Sequence, residues 1–172
     1  IQTVYSNPNI LVQMLRAFKV AKTEWVAMVD DDTLYPPDHF QYRGKVPGFY
    51  YNHNRWQIAT WHPEFYFYKP KPGNGCMIAT RTLAIEKLEA RFKVNPELNG
   101  HHQCKELGTW TRWSGFDEPK FIPFWTNLGL VSFDHDFSHD RASRRHTKVL
   151  HPVRAYDIPL WGRSDELVKK FV

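Results

Sequence analysis

The sequence predicts a single α/β domain with a mixed sheet flanked by helices. Strand-like and helix-like segments alternate at the start. Short, loosely alternating aromatic segments then fill residues 45–68, and a second strand and helix follow at 75–92. A length of 172 residues suits one domain. With 42% hydrophobic and 24% charged residues the chain is no disordered polymer, and no apolar run approaches the roughly 18 residues of a membrane helix. Aromatic residues reach 16%, enough to fill a core and leave rings over for a binding surface.

IQTVY at 1–5 reads as a strand, and 6–22 as a helix that Ser6 or Asn7 can cap and Pro8 can open. Leu11, Met14, Leu15 and Phe18 recur at the i, i+3, i+4, i+7 spacing of one helical face. The apolar run 24–30 reads as a strand buried on both faces, ending in Asp30, Asp31 and Asp32. Pro36 and Pro37 open a loop or short helix. Two or three antiparallel strands are expected in 45–68, a loop at 69–75, a strand at 75–81 and an amphipathic helix at 80–92. A further helix is expected within 95–115, strands at 120–125 and 128–135, and a last helix capped by Ser164. The division expected is a core at 1–148 and a tail at 149–172.

The net charge of +5 is spread along the chain, with one dense cluster at 141–148, so it does not point to nucleic acid. Cys76 and Cys104 are too few for a disulfide framework. With no N-x-S/T sequon and no signal peptide in view, a cytoplasmic location is the expectation. The chain opens at Ile1 rather than Met, which suggests trimming at the N-terminus.

Chemistry concentrates at 30–32. Three adjacent carboxylates repel one another, and a fold that gathers them at a strand end supplies a cation; oxygen ligands suit Mg²⁺ or Mn²⁺. In an extended segment Asp30 and Asp32 would share a side, with Asp31 on the other.

WVAMVDDDTLYPP resembles the DXD segment of GT-A-fold glycosyltransferases, which use nucleotide-sugar donors. GNGCMIATRTLAIEKL resembles the glycine-bearing strand and helix that border their acceptor site. CKELGTWTRWSGFDEPKFIPFW resembles the helix, Gly turn and strand that end the core in family 2 and related inverting members, and VSFDHDFSHD the late strand with a metal-binding His. The resemblance spans roughly residues 1–140 and lacks the first nucleobase-binding strand and helix. It implies Mn²⁺ or Mg²⁺ held by Asp32 and His135, with Asp30 and Asp31 on the nucleotide side of a UDP- or GDP-sugar. The acceptor hydroxyl would belong to an unidentified glycan, protein or small molecule. Gln103-Cys104 stands where inverting members carry Glu-Asp, leaving Glu106 as the nearest carboxylate for the base, with Asp117 and Glu118 further on. Arg144 and Arg145, with Arg141 and Lys148, are candidates to steady the diphosphate. Trp110, with Trp56, Trp61 and Trp113, could offer ring faces to a sugar.

Two other readings compete. His135, His139 and His146 with Asp134, Asp136 and Asp140 would suit a metal-dependent hydrolase if His135 and His139 shared a helical face. The missing first strand and Gln103-Cys104 suit a degenerate, non-catalytic nucleotide- or carbohydrate-binding domain.

Overall fold

The computed structural model describes residues 7–96, 106–109, 116–135 and 152–171. It is an α/β protein with helices and mixed sheets. The chain divides into two compact units: one formed by residues 1–29, 42–51 and 72–123, the other by 30–41, 52–71 and 124–172.

In the first unit, helix α1 (Asn7–Val20) leads to β1 (Trp25–Ala27). Leu11, Met14 and Phe18 of α1 are buried, as the helical spacing predicts, while Leu15 is only partly covered. The four-stranded sheet runs β1-β6-β3-β7, with β3 at Phe49–Asn52, β6 at Met77–Thr80 and β7 at Ile122–Phe124. Strand β6 pairs antiparallel with both β1 and β3. Helix α3 (Arg81–Val94) follows β6 directly, buries Ala84, Leu88 and Arg91, and packs on α1. A Lys19–Glu89 ion pair of 2.6 Å links the two helices.

One expectation changes here. The segment 24–30 is not a strand buried on both faces. Strand β1 ends at Ala27 and pairs, among the described residues, with β6 alone; only Val26 of it is buried, and Val29 is 54% exposed. The strands buried throughout in this sheet are FYYN of β3 and MIAT of β6, each with a partner on both sides. The helix expected within 95–115 falls mostly on residues outside those described. Glu106–Thr109 form a turn in which the Thr109 N–H and hydroxyl both donate to the Glu106 carbonyl, at 3.2 and 2.8 Å. Gly108 makes this turn possible with φ of +75°, which a side chain would resist. The strand expected at 1–5 lies outside the described residues.

The second unit holds a five-stranded sheet of order β2-β8-β4-β5-β9. Strands β4 (Arg55–Ala59) and β5 (His62–Tyr68) form the expected antiparallel hairpin, and β8 (Leu130–Asp134) runs parallel to β4, which makes the sheet mixed. Strand β2 (Thr33–Leu34) pairs antiparallel with β8 and was not visible in the sequence pattern; two residues are too few to show a period. Pro37 opens the short helix α2 (Pro37–Gln41).

The final residues pack into this unit. Strand β9 (Arg154–Ala155) extends the sheet beside β5, and β10 (Asp157–Ile158) pairs with β11 (Gly162–Arg163). Helix α4 (Ser164–Phe171) places Leu167 in a core with Ile58, Tyr66, Val131, Phe133 and Ile158. Ser164 stands at the start of α4 but does not cap it: its Oγ is buried and meets no hydrogen-bond partner among the described residues. Asp165 and Glu166 instead bring negative charge to the first turn. No helix among the described residues is long and apolar enough to cross a membrane.

Candidate functional site

The chain leaves β1 for a different sheet, so the residues between Ala27 and Thr33 cannot continue as one strand. Asp31 and Asp32 form a turn instead of the expected extended segment. Asp30 and Asp31 are exposed and Asp32 is partly covered. The turn enters β2, whose register sets Thr33 against Ser132 and Leu34 against Val131. Continuing that pairing, the Asp32 carbonyl accepts from the Phe133 N–H at 2.8 Å. The same antiparallel run brings the residue just beyond β8 alongside: Asp32 Oδ2 lies 3.8 Å from His135 Nε2. Residues about a hundred positions apart in sequence thus meet at one sheet edge.

A separation of 3.8 Å is too long for a hydrogen bond. It suits two groups sharing a cation, since ligands each about 2.1 Å from a metal stand some 3–4 Å apart. Both side chains are about one-third exposed, so the site is open to solvent and to a ligand. Oδ1 of Asp32 accepts from the Thr33 hydroxyl at 3.2 Å, leaving Oδ2 toward His135. One carboxylate and one imidazole fit a cation that takes its remaining ligands from water and phosphate, the usual habit of Mg²⁺. Among the described residues no cluster of three or more His, Cys, Asp or Glu is arranged to hold a metal by itself.

Behind the turn stands α2. Tyr35 Oη accepts from the Asp30 N–H at 2.8 Å, and its ring packs on His39 and Phe40 at centroid distances of 5.3 and 5.4 Å. Burial pushes the Tyr35 phenol up to about 12, so it adds no charge beside the carboxylates. His39 is fully buried and fixed by a directional network. Asn52 Oδ1 accepts from the Asn54 N–H at 2.9 Å, which sets the amide orientation. Asn52 Nδ2 then donates to Thr126 Oγ1 at 2.7 Å and faces His39 Nδ1 at 3.3 Å. The Thr126 hydroxyl passes its own proton to the Leu128 carbonyl at 2.6 Å. Nδ1 must therefore be an acceptor, and the imidazole is neutral with its proton on Nε2, which meets no partner among the described residues. Burial lowers the His39 pKa to about 4, against a smaller opposing pull from Asp38. Asp38 Oδ2 accepts from the Asn127 N–H at 2.9 Å, a second tie on α2. None of these hydrogen bonds was signalled by the sequence, where TLYPPDHF reads as a loop or short helix opened by Pro36 and Pro37.

Asp134, a candidate in the hydrolase reading, is buried in β8 and accepts from Gln57 Nε2 at 2.5 Å. Leu130–Asp134 is a strand, so the helical face required of His135 and His139 does not begin there. His139, His146, Asp136 and Asp140 lie outside the described residues, as do Arg141, Arg144, Arg145, Lys148, Trp110, Trp113, Gln103 and Cys104. Trp56 is largely structural: it packs against the core of its unit, rests on Tyr68 at 5.2 Å and donates from Nε1 to Asn54 Oδ1 at 3.2 Å. Trp61 is half-buried in the β4–β5 turn.

Glu106 belongs to the first unit, where its turn is held by a buried ion pair. Arg91 Nε and Nη2 donate to the two Glu118 oxygens at 2.5 and 2.7 Å, and Glu118 Oε2 also accepts from the Gly108 N–H at 2.9 Å. Tyr51 donates to the Leu107 carbonyl at 2.9 Å. Glu118 is thereby committed to structure and is no candidate base, while the partly exposed Glu106 carboxylate keeps that candidacy. Cys76 is a buried thiol that donates to the Gly73 carbonyl at 3.1 Å.

No family model matches the chain, and neither a curated protein nor a solved structure is significantly similar to it.

Proposed function

We propose that this chain is a GT-A-like glycosyltransferase domain that binds a nucleoside-diphosphate sugar through Mn²⁺ or Mg²⁺ and transfers the sugar to an acceptor hydroxyl. The observation that carries the reading is the approach of Asp32 to His135, made by the β2–β8 pairing and open to solvent. The cation would offset the negative charge that develops on the leaving diphosphate. Asp32 and His135 would hold it, Asp30 and Asp31 would stand on the nucleotide side, and Arg144 and Arg145 would steady the diphosphate. Trp110 would offer a ring to a sugar, and Glu106 would take the acceptor proton in an inverting reaction.

Calorimetric titration with UDP and with GDP, with and without Mn²⁺, tests the assignment. Binding should require the metal and weaken at least about tenfold in Asp32→Ala, because the other ligands cannot replace a lost carboxylate. Equal donor binding by wild type and Asp32→Ala would remove the assignment.

A further inference from the structure

We infer that Tyr35 is a positioning residue for the acidic turn, its hydroxyl fixing the backbone of Asp30 and so the turn that presents Asp32. This rests on the metal-bound diphosphate reading above and names the group that prepares its principal carboxylate.

The turn is closed at both ends. On one side the Asp30 N–H donates to Tyr35 Oη at 2.8 Å, tying two residues five positions apart. On the other, Thr33 and Leu34 are paired into the sheet and the Asp32 carbonyl is bonded to the Phe133 N–H. Within the turn the Thr33 hydroxyl donates to Asp32 Oδ1 at 3.2 Å. With Oδ1 occupied, Oδ2 is the oxygen presented to His135. Adjacent carboxylates repel, so a turn without this closure would spread. Groups behind a metal ligand hold its angle in the same way elsewhere, and their loss typically weakens metal binding about 10–100-fold. The clamp has a firm base, since the Tyr35 ring lies on His39 and Phe40 of a helix held by Asn52 and by the Asn127 N–H.

Tyr35→Phe keeps the ring and removes only the hydroxyl. Two measurements on the full chain decide the matter: amide hydrogen exchange at Asp30 without metal, and Mn²⁺ binding followed by electron paramagnetic resonance in the presence of UDP. The expected result is faster exchange at Asp30 and about tenfold weaker Mn²⁺ binding, with a metal-free melting curve close to wild type. Unchanged exchange at Asp30 would overturn the clamp. Faster exchange with unchanged Mn²⁺ affinity would overturn the positioning role while leaving the metal site standing. A wild-type chain that binds no Mn²⁺ with UDP would overturn the site reading itself, and the positioning role with it. Tyr35→Leu, which also removes the ring, should lower the melting midpoint where Tyr35→Phe does not.

Discussion

Acidification should destabilise this protein through His39. The imidazole is fully buried and its pKa falls from 6.5 to about 4 on folding. Burial is the main cause, and the neighbouring amide adds to it: a proton on Nδ1 would point at the Asn52 Nδ2 donor. Between these two values the unfolded chain binds the proton and the folded chain does not. The stability that His39 contributes is therefore complete above the unfolded value and is lost as pH falls toward the folded one. The shift corresponds to about 3 kcal/mol in full, of which about 2.5 kcal/mol is gone by about pH 4.5. Other groups titrate in the same window, so the measurement is a difference. His39→Gln keeps an acceptor for Asn52 and does not titrate. Urea unfolding of both proteins at about pH 7.5 and about pH 4.5 should show wild type losing about 2.5 kcal/mol more than the variant. A gap between the two that stays constant to within about 0.5 kcal/mol would refute the argument, showing that His39 is reached by water or by a proton acceptor.

Further outcomes follow from the turn at Gly108. A Cβ there would lie 2.8 Å from the Pro119 carbonyl oxygen and 2.9 Å from the Phe121 nitrogen, both backbone atoms, at a positive φ. Gly108→Ala should cost about 2 kcal/mol or more in chemical denaturation, and a neutral result would mean that the turn relaxes freely. Glu118→Gln should cost about 3 kcal/mol by leaving Arg91 buried without its counter-charge, while the double change Arg91→Met with Glu118→Leu should cost less than the two single changes combined. Additive single costs would show that the pair is not coupled.

Long, strongly patterned elements were legible in the sequence. The α1 face from Leu11 to Phe18, the β4–β5 hairpin, and the β6–α3 succession all stand where period and punctuation put them. The apolar run at 24–30 misled because hydrophobic content does not say whether a strand lies at an edge or in the middle of a sheet; partner strands decide that. The resemblance pairs Asp32 with His135 as ligands of one metal and the structure sets them 3.8 Å apart, but their link through β2 depends on a two-residue pairing that carries no pattern of its own. Tyr35, Asn52 and Thr126 were invisible for a related reason: each acts through hydrogen bonds to residues far off or around a turn, and a hydrogen bond leaves no periodic trace.

The two units are braided along the chain, which passes from one to the other after residues 29, 41, 51, 71 and 123. Neither can be cut out as a continuous piece. An expression fragment ending at residue 148 would discard Ile158 and Leu167 and open the core beneath β4, β5 and β8. One built on residues 1–71 would strand β1 without β6, the strand it pairs with. Deletion mapping, the ordinary way to assign an activity to part of a protein, would here report misfolding at almost every endpoint. Point substitutions that respect the packing are the tool suited to this chain, and the same braiding predicts that a single proteolytic nick leaves the pieces associated.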